Sequence, residues 1–226
     1  MSFVNKPLTD ILDCVRASTA TYVDPTGRIR TAGANQPRID FSSGQGRLLN
    51  EEARTNLLTW SEDFSNAAWS KANVTVAASA SLSPDGQNTA YKLVSSEGNS
   101  WQRLGRFLSV LPNTAYTQSW YVKSDGVRYC STYFRSSEFG VANNSNTLVV
   151  DLETGDFVSG NNIKPSVVRL ANGWFRISIS GTTISNPSSN YVVITLAGSL
   201  NLVNDPLITG DGTSGIYIWG AQLEQG

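Results

Sequence analysis

The side chains of this chain that could do chemistry are aromatics, arginines and carboxylates, because it contains no histidine at all. That removes Ser-His-Asp and Cys-His catalysis, His-ligated zinc and the usual pH switch together. Local carboxylate pairs remain at Glu51–Glu52, Glu62–Asp63 and Asp151 with Glu153. A glycosidase needs two carboxyls across one bond, at a separation that sequence spacing does not set. Acidic residues at turns and strand ends are ordinary, and Asp63 reads as a turn or cap residue. No catalytic residue is assigned, and the chain is expected not to be an enzyme.

The aromatics are the richer signal, with six Trp and eight Tyr among 226 residues. Sugars present flat C–H faces that stack on electron-rich rings, so an aromatic strip on the polar side of a sheet would make a glycan platform. Trp101, Arg103, Tyr121, Tyr133, Arg135 and Trp174 are the candidates, each on or near a face that also carries Arg, Gln or Ser. The competing reading is that such rings fill cores and interfaces, and it is the stronger one for Trp120, Phe175 and Trp219, on plainly apolar strands. For a structural Ca²⁺ the candidates are Asp63 with Gln222 or Glu224. The Gly/Asp-rich run at 210–215 lacks the spacing of a calcium loop and reads as a hairpin turn. No cofactor is expected beyond that weak calcium option.

These side chains must be positioned by short strands. From Thr75 onward, alternating runs at 89–96, 100–110, 116–123, 128–135, 146–153, 166–171, 173–180, 191–197 and 215–224 are separated by Gly, Asn, Pro and Asp turns. Nine strands without crossover helices predict an all-β, antiparallel sandwich of jelly-roll type. In the run at 116–123, Tyr116, Trp120 and Val122 share one face, and Thr117, Ser119, Tyr121 and Lys123 the other. Phe175, Ile177 and Ile179 form another core face, and the run at 215–224 is apolar on both sides, as for a strand covered twice.

The first 58 residues read differently, as an extended arm that anchors residues 59–226 to a neighbour. Arg16, Arg28, Arg30, Arg38, Arg47 and Arg54 punctuate it, and Tyr22, Ile29, Ile39, Phe41, Leu48 and Leu49 give it apolar contacts that a solvated tail would not need. A net charge of −1 with 15% charged residues makes no electrostatic case for nucleic acid or an anionic membrane surface, and suits neutral partners. No run approaches the ~20 apolar residues of a membrane helix, and the N-terminus shows no secretory signal. Cys14 and Cys130 read as free thiols, as in a reducing cytoplasm.

RASTATYVDPTGRIRTAGANQPRIDF followed by RLLNEEARTNLLTWSEDFSNAAWSK resembles the opening of a group of tailed-phage structural proteins that carry a carbohydrate-binding-module-like jelly roll. LPNTAYTQSWYVKSDGVRY, VVDLETGDFVS with LANGWFRISIS, and GIYIWGAQLEQG resemble that module's later strands. The resemblance implies a carbohydrate-binding-module-type sandwich, virion location after assembly in the host bacterial cytoplasm, and homo-oligomers, often trimers. It implies a non-enzymatic virion component docked through its arm to capsid, portal, collar or tail subunits: a decoration protein or head fibre, a collar subunit or a tail-attached one. The larger members' fibre shaft and depolymerase domain have no counterpart here, which points to a small accessory subunit. The alternative expectation is an adhesion module for host surface glycans.

Overall fold

A computed structural model describes residues 13–51, 54–140 and 143–226. Glu52, half of one carboxylate pair, lies outside them. Seventeen strands occur among the described residues. Four are short and N-terminal: β1 (Ala20–Val23), β2 (Ile29–Ala32), β3 (Ile39–Asp40) and β4 (Arg47–Leu48). Then come β5 (Ser70–Ala72), β6 (Val74–Ser81), β7 (Ala90–Ser95), β8 (Gly98–Ser109), β9 (Ala115–Asp125), β10 (Tyr129–Tyr133) and β11 (Thr147–Asp151). The chain closes with β12 (Phe157–Ser159), β13 (Lys164–Arg169), β14 (Phe175–Thr182), β15 (Ser189–Ala197), β16 (Leu207–Gly210) and β17 (Gly215–Gln225). No helix among the described residues is long and apolar enough to cross a membrane.

Two large antiparallel sheets form the sandwich, as the alternation predicts. The first runs β12-β11-β10-β15-β8-β16, with β5 also paired to β8; the second runs β13-β14-β9-β17-β7-β6. Side chains of alternate parity from both sheets fill the space between them: Leu104 of β8, Val192 and Ile194 of β15, Trp120 and Val122 of β9, and Ile177 and Ile179 of β14 are all buried. Trp120 packs between Phe64 and Trp69, at ring-centre distances of 6.1 and 5.6 Å. Burying each such ring stabilises the fold by roughly 1.5–3 kcal/mol. Some inward positions are polar, among them Gln102, Gln118 and Thr132. Gln118 of β9 crosses the core to donate from Nε2 to Thr132 Oγ1 at 2.6 Å and to Val193 O at 3.3 Å, tying the sheets together.

The segment read as an extended arm pairs with itself. β1 and β2 form a hairpin in register from Ala20↔Ala32 to Val23↔Ile29. Its turn is built by Asp24, whose Oδ1 accepts from the backbone N–H groups of Thr26 (2.8 Å) and Arg28 (3.1 Å) and whose Oδ2 accepts from Arg30 Nε at 2.8 Å. Burial opposes that charge, but the hydrogen bonds outweigh it and hold the carboxyl well below the ordinary range. The hairpin lies on the outer face of the second sheet. Ile29 packs there with Ala90, Leu170, Trp174 and Trp219, while Val23 and Tyr121 flank the cluster. Covering this face is what makes β17 apolar on both sides.

The arm's arginines also bind within the chain. Arg16 reaches the carbonyl of Ser18 (2.8 Å), Arg38 that of Thr21 (2.9 Å), and Arg54 that of Gln225 (2.6 Å). Arg38 also pairs with Glu51 at 3.0 Å. Tyr22 sits opposite Arg30 in the hairpin, and Arg28 follows its turn. Phe41 donates its N–H to Val23 O at 2.9 Å, joining the β3–β4 hairpin to β1.

Candidate functional site

The outer face of the first sheet carries the site. On β8, alternation sends Leu104 into the core and Trp101, Arg103, Gly105 and Phe107 outward. Register brings β15 alongside, with Tyr191 opposite Phe107, Val193 opposite Gly105 and Thr195 opposite Arg103. β10 lies on the far side of β15 and adds Tyr133, with Arg135 just beyond its end.

These residues stack. The Phe107 and Tyr191 rings lie 4.4 Å apart and 28° from parallel. The Arg103 guanidinium stands 5.2 Å from the Tyr191 ring centre and 4.5 Å from that of Trp101, so a cation lies between two rings. The result is a column of Phe107, Tyr191, Arg103 and Trp101 along β8. Gly105 makes room for it: a Cβ there would stand 2.5 Å from Tyr191 Cζ. Tyr191 is 5% exposed inside the column, whereas its ends are open, Trp101 at 41% and Phe107 at 56%.

The loop after β15 fixes the cation. Asp205 Oδ2 accepts from Arg103 Nη1 at 2.6 Å, and its Oδ1 accepts from the Tyr133 hydroxyl at 3.0 Å. Burial works against the Arg103 charge, but Asp205, joined by Tyr133 and Tyr191, outweighs it, and the guanidinium pKa rises above its ordinary value. Burial, followed by the Asp205 charge, pushes the Tyr133 hydroxyl up as well, so it remains a neutral donor. Asn204 and Val203 hold the loop to the sheet through Thr147 and Ser131. Beyond Trp101, whose neighbour in register is Leu207, the face continues into a cleft of about 560 Å³ lined by Asn99, Arg128, Tyr129, Leu207, Thr209 and Asp211.

Four of the six glycan candidates therefore share one face: Trp101 and Arg103 in the column, Tyr133 beneath it, and Arg135 at its Phe107 end, 5.5 Å from that ring. Tyr121 and Trp174 do not belong to it. They lie on the second sheet beneath the N-terminal hairpin; Tyr121 packs 5.2 Å from Trp219, and Trp174, buried, donates from Nε1 to Leu82 O at 3.1 Å. Their outward parity was legible, but the hairpin that covers them was not. Phe107, Tyr191 and Asp205 are the site residues that sequence reasoning missed.

The acidic pairs are held elsewhere. Asp151 and Glu153 both bind Arg128, at 2.7 and 3.1 Å, and that guanidinium, with the N–H groups of Glu153 and Thr154, holds Asp151 at about 2. Asp63 Oδ1 accepts from the Tyr91 hydroxyl at 3.0 Å and from Ser65, while Gln222 Oε1 accepts from Ser119 at 3.2 Å and Arg176 at 3.4 Å. Asp63 and Gln222 are thus engaged by different partners, and no group of three or more His, Cys, Asp or Glu able to hold a metal occurs among the described residues. Cys14 and Cys130 are free thiols, the second fully buried.

No protein-family profile matches the chain, and no curated protein does either. Solved structures similar to it include the CBM22-1 xylan-binding domain of a Paenibacillus barcinonensis protein, at 12% identity and a TM-score of 0.40, covering 78% of this chain and 97% of that one. Another is TmCBM61 in complex with beta-1,4-galactotriose, at 12% identity and 0.37, covering 75% and 97%. A third is the enzymatically active domain of bacteriophage CBA120 tailspike protein 4, at 11% identity and 0.41; it covers 74% of this chain, which spans only 21% of that one.

Proposed function

We propose that this protein is a carbohydrate-binding β-sandwich that holds a glycan chain along the outer face of its first sheet. The observation that carries this reading is the column itself: two exposed rings, Trp101 and Phe107, held in line by Arg103, Tyr191 and Asp205. Successive spacings of 4.4, 5.2 and 4.5 Å put its end rings no more than about 14 Å apart. A row of that length suits an oligosaccharide lying across the sheet. The column needs no rearrangement to receive it, so little ordering entropy opposes binding. The Asp151–Glu153 pair is engaged by Arg128, which supports a binding role over hydrolysis.

The test is affinity electrophoresis and calorimetry on a polysaccharide panel, comparing the parent with Trp101→Ala and Phe107→Ala. Both side chains are half-exposed and give up one stacking contact each, so stability should fall by no more than about 0.5–1.5 kcal/mol. Affinity should fall roughly five- to 150-fold, the size of one lost ring contact of about 1–3 kcal/mol. Unchanged affinity in both variants would refute the platform. The wider setting, a non-enzymatic component of a tailed-phage virion, is supported by the sequence resemblance; immunogold labelling that leaves purified particles bare would overturn it.

A further inference from the structure

The net charge of −1 suits neutral partners, but the candidate site has a local charge of its own. Arg103 is neutralised by Asp205. Arg135 is not matched in that way. Its backbone N–H is anchored on Asn190 Oδ1 at 3.2 Å, and its side chain, 46% exposed, reaches the Phe107 end of the column. The acidic group beside it is Glu138, whose Oε1 stands 3.7 Å from Arg135 Nη1, too far for a hydrogen bond.

Glu138 does not depend on that contact. It is buried and accepts from the Ser188 N–H at 2.5 Å, the Ser188 hydroxyl at 3.1 Å and the Ser137 hydroxyl at 2.9 Å. Burial opposes its charge, yet those donors hold its carboxyl below the ordinary range, with Arg135 the least of the named contributions. The Arg135 guanidinium makes no hydrogen bond among the described residues. It presents a planar fork of donors 5.5 Å from the centre of the exposed Phe107 ring, and such a fork grips a carboxylate with two parallel hydrogen bonds.

We infer that the glycan is acidic: a polymer of uronic-acid-type sugars, one sugar lying against the exposed side of Phe107 while its carboxylate accepts from Arg135. The inference rests on the platform reading above and adds the charge of the ligand to it. A uronate carries its carboxylate at the ring edge, so a sugar lying against the exposed side of Phe107 brings that group within reach of Arg135, whose guanidinium stands over the ring at 5.5 Å from its centre. Neutral glycans would gain the ring contact alone.

The experiment uses polygalacturonate, alginate and hyaluronan, each beside its own carboxyl-methyl-esterified form, against the intact chain. At least one acidic polymer should bind roughly tenfold or more tighter than its ester, the size of one charge-assisted hydrogen bond. That preference should weaken with added salt and disappear in Arg135→Gln, with partial recovery in Arg135→Lys. Equal binding of acid and ester, or binding only of esters and of neutral xylan or galactan, would overturn the inference and leave the glycan reading standing. A preference that survives Arg135→Gln would remove Arg135 from the site. No binding to any of these polymers would sink the platform reading as well.

Discussion

Adding one methyl group at Gly105 should break the site without touching any ligand. Gly105 does not have a positive φ, so alanine fits the backbone and only the space above it matters. An alanine Cβ would stand 2.5 Å from Tyr191 Cζ, 2.8 Å from its Oη and 2.9 Å from its Cε2, closer than real Cβ contacts allow. The ring has nowhere to retreat, because Phe107 lies 4.4 Å from it and the Arg103 guanidinium 5.2 Å. Such overpacking costs about 1–3 kcal/mol, and the lower entropy of an unfolded chain carrying Ala in place of Gly offsets about 0.4–1 kcal/mol of it. At roughly 2–4 °C per kcal/mol for a chain of this size, Gly105→Ala should melt several degrees below the parent and lose most of its glycan affinity. The decisive measurement is the same substitution in a Tyr191→Ala background. With the ring gone the clash goes too, and the entropic term alone should make Gly105→Ala stabilising by about 0.4–1 kcal/mol. A change of sign between the two backgrounds, read by urea denaturation, is a coupling well above the few tenths expected of independent sites. Equal costs in both backgrounds would show that Gly105 is not held small by Tyr191.

Two further outcomes follow from the opposite sheet and the far strand. Ile29→Asp should strip the N-terminal hairpin from Trp174 and Trp219, removing the roughly 1.5–3 kcal/mol that burial of Ile29 contributes; trypsin should then cut after Arg28 while the sandwich survives, and parent-like protection of that turn would count against the packing described. Asp151 sits at about 2 against an ordinary 3.8, so its stabilisation is complete above about pH 4 and drains away as pH falls toward 2. The stability gap between the parent and Asp151→Asn should therefore be widest near neutrality and close in acid; a gap that widens in acid would reverse the assigned direction.

Alternation made the sandwich legible, and it carried much of the site as well. The nine strand runs read from sequence all occur, and Tyr116, Trp120, Val122, Phe175, Ile177 and Ile179 point inward as their parity requires. Phe107 was within reach of the same rule, since it shares the parity of Trp101 and Arg103 on one strand. Tyr191 and Asp205 were not, because strand register and loop placement are set by packing between distant segments, which local patterns do not encode. The strands that escaped reading were of two kinds: β6, rich in Ala and Ser that carry little strand propensity, and short pieces such as β5, β12 and β16.

The two outer faces show why residue type alone could not locate the site. Trp219, Trp174 and Tyr121 on the second sheet are as well suited to stacking as Trp101, Tyr191 and Phe107 on the first, and Arg176 stands 5.9 Å from Tyr121 much as Arg103 stands over Tyr191. What separates them is occupancy by the chain itself. The β1–β2 hairpin lays Val23 and Ile29 across the second face and turns its rings into a small core. Asp40, in the adjoining β3 with its Oδ2 bound to the Val23 N–H at 2.8 Å, contributes a charge that acts on Arg176. Among the described residues no such cover lies over Trp101 and Phe107: the loop at 198–206 engages Arg103 and Tyr133 of that face. The N-terminal segment thus does for one sheet what a ligand would do for the other, and removing that segment should create a second aromatic face that competes for the same glycans.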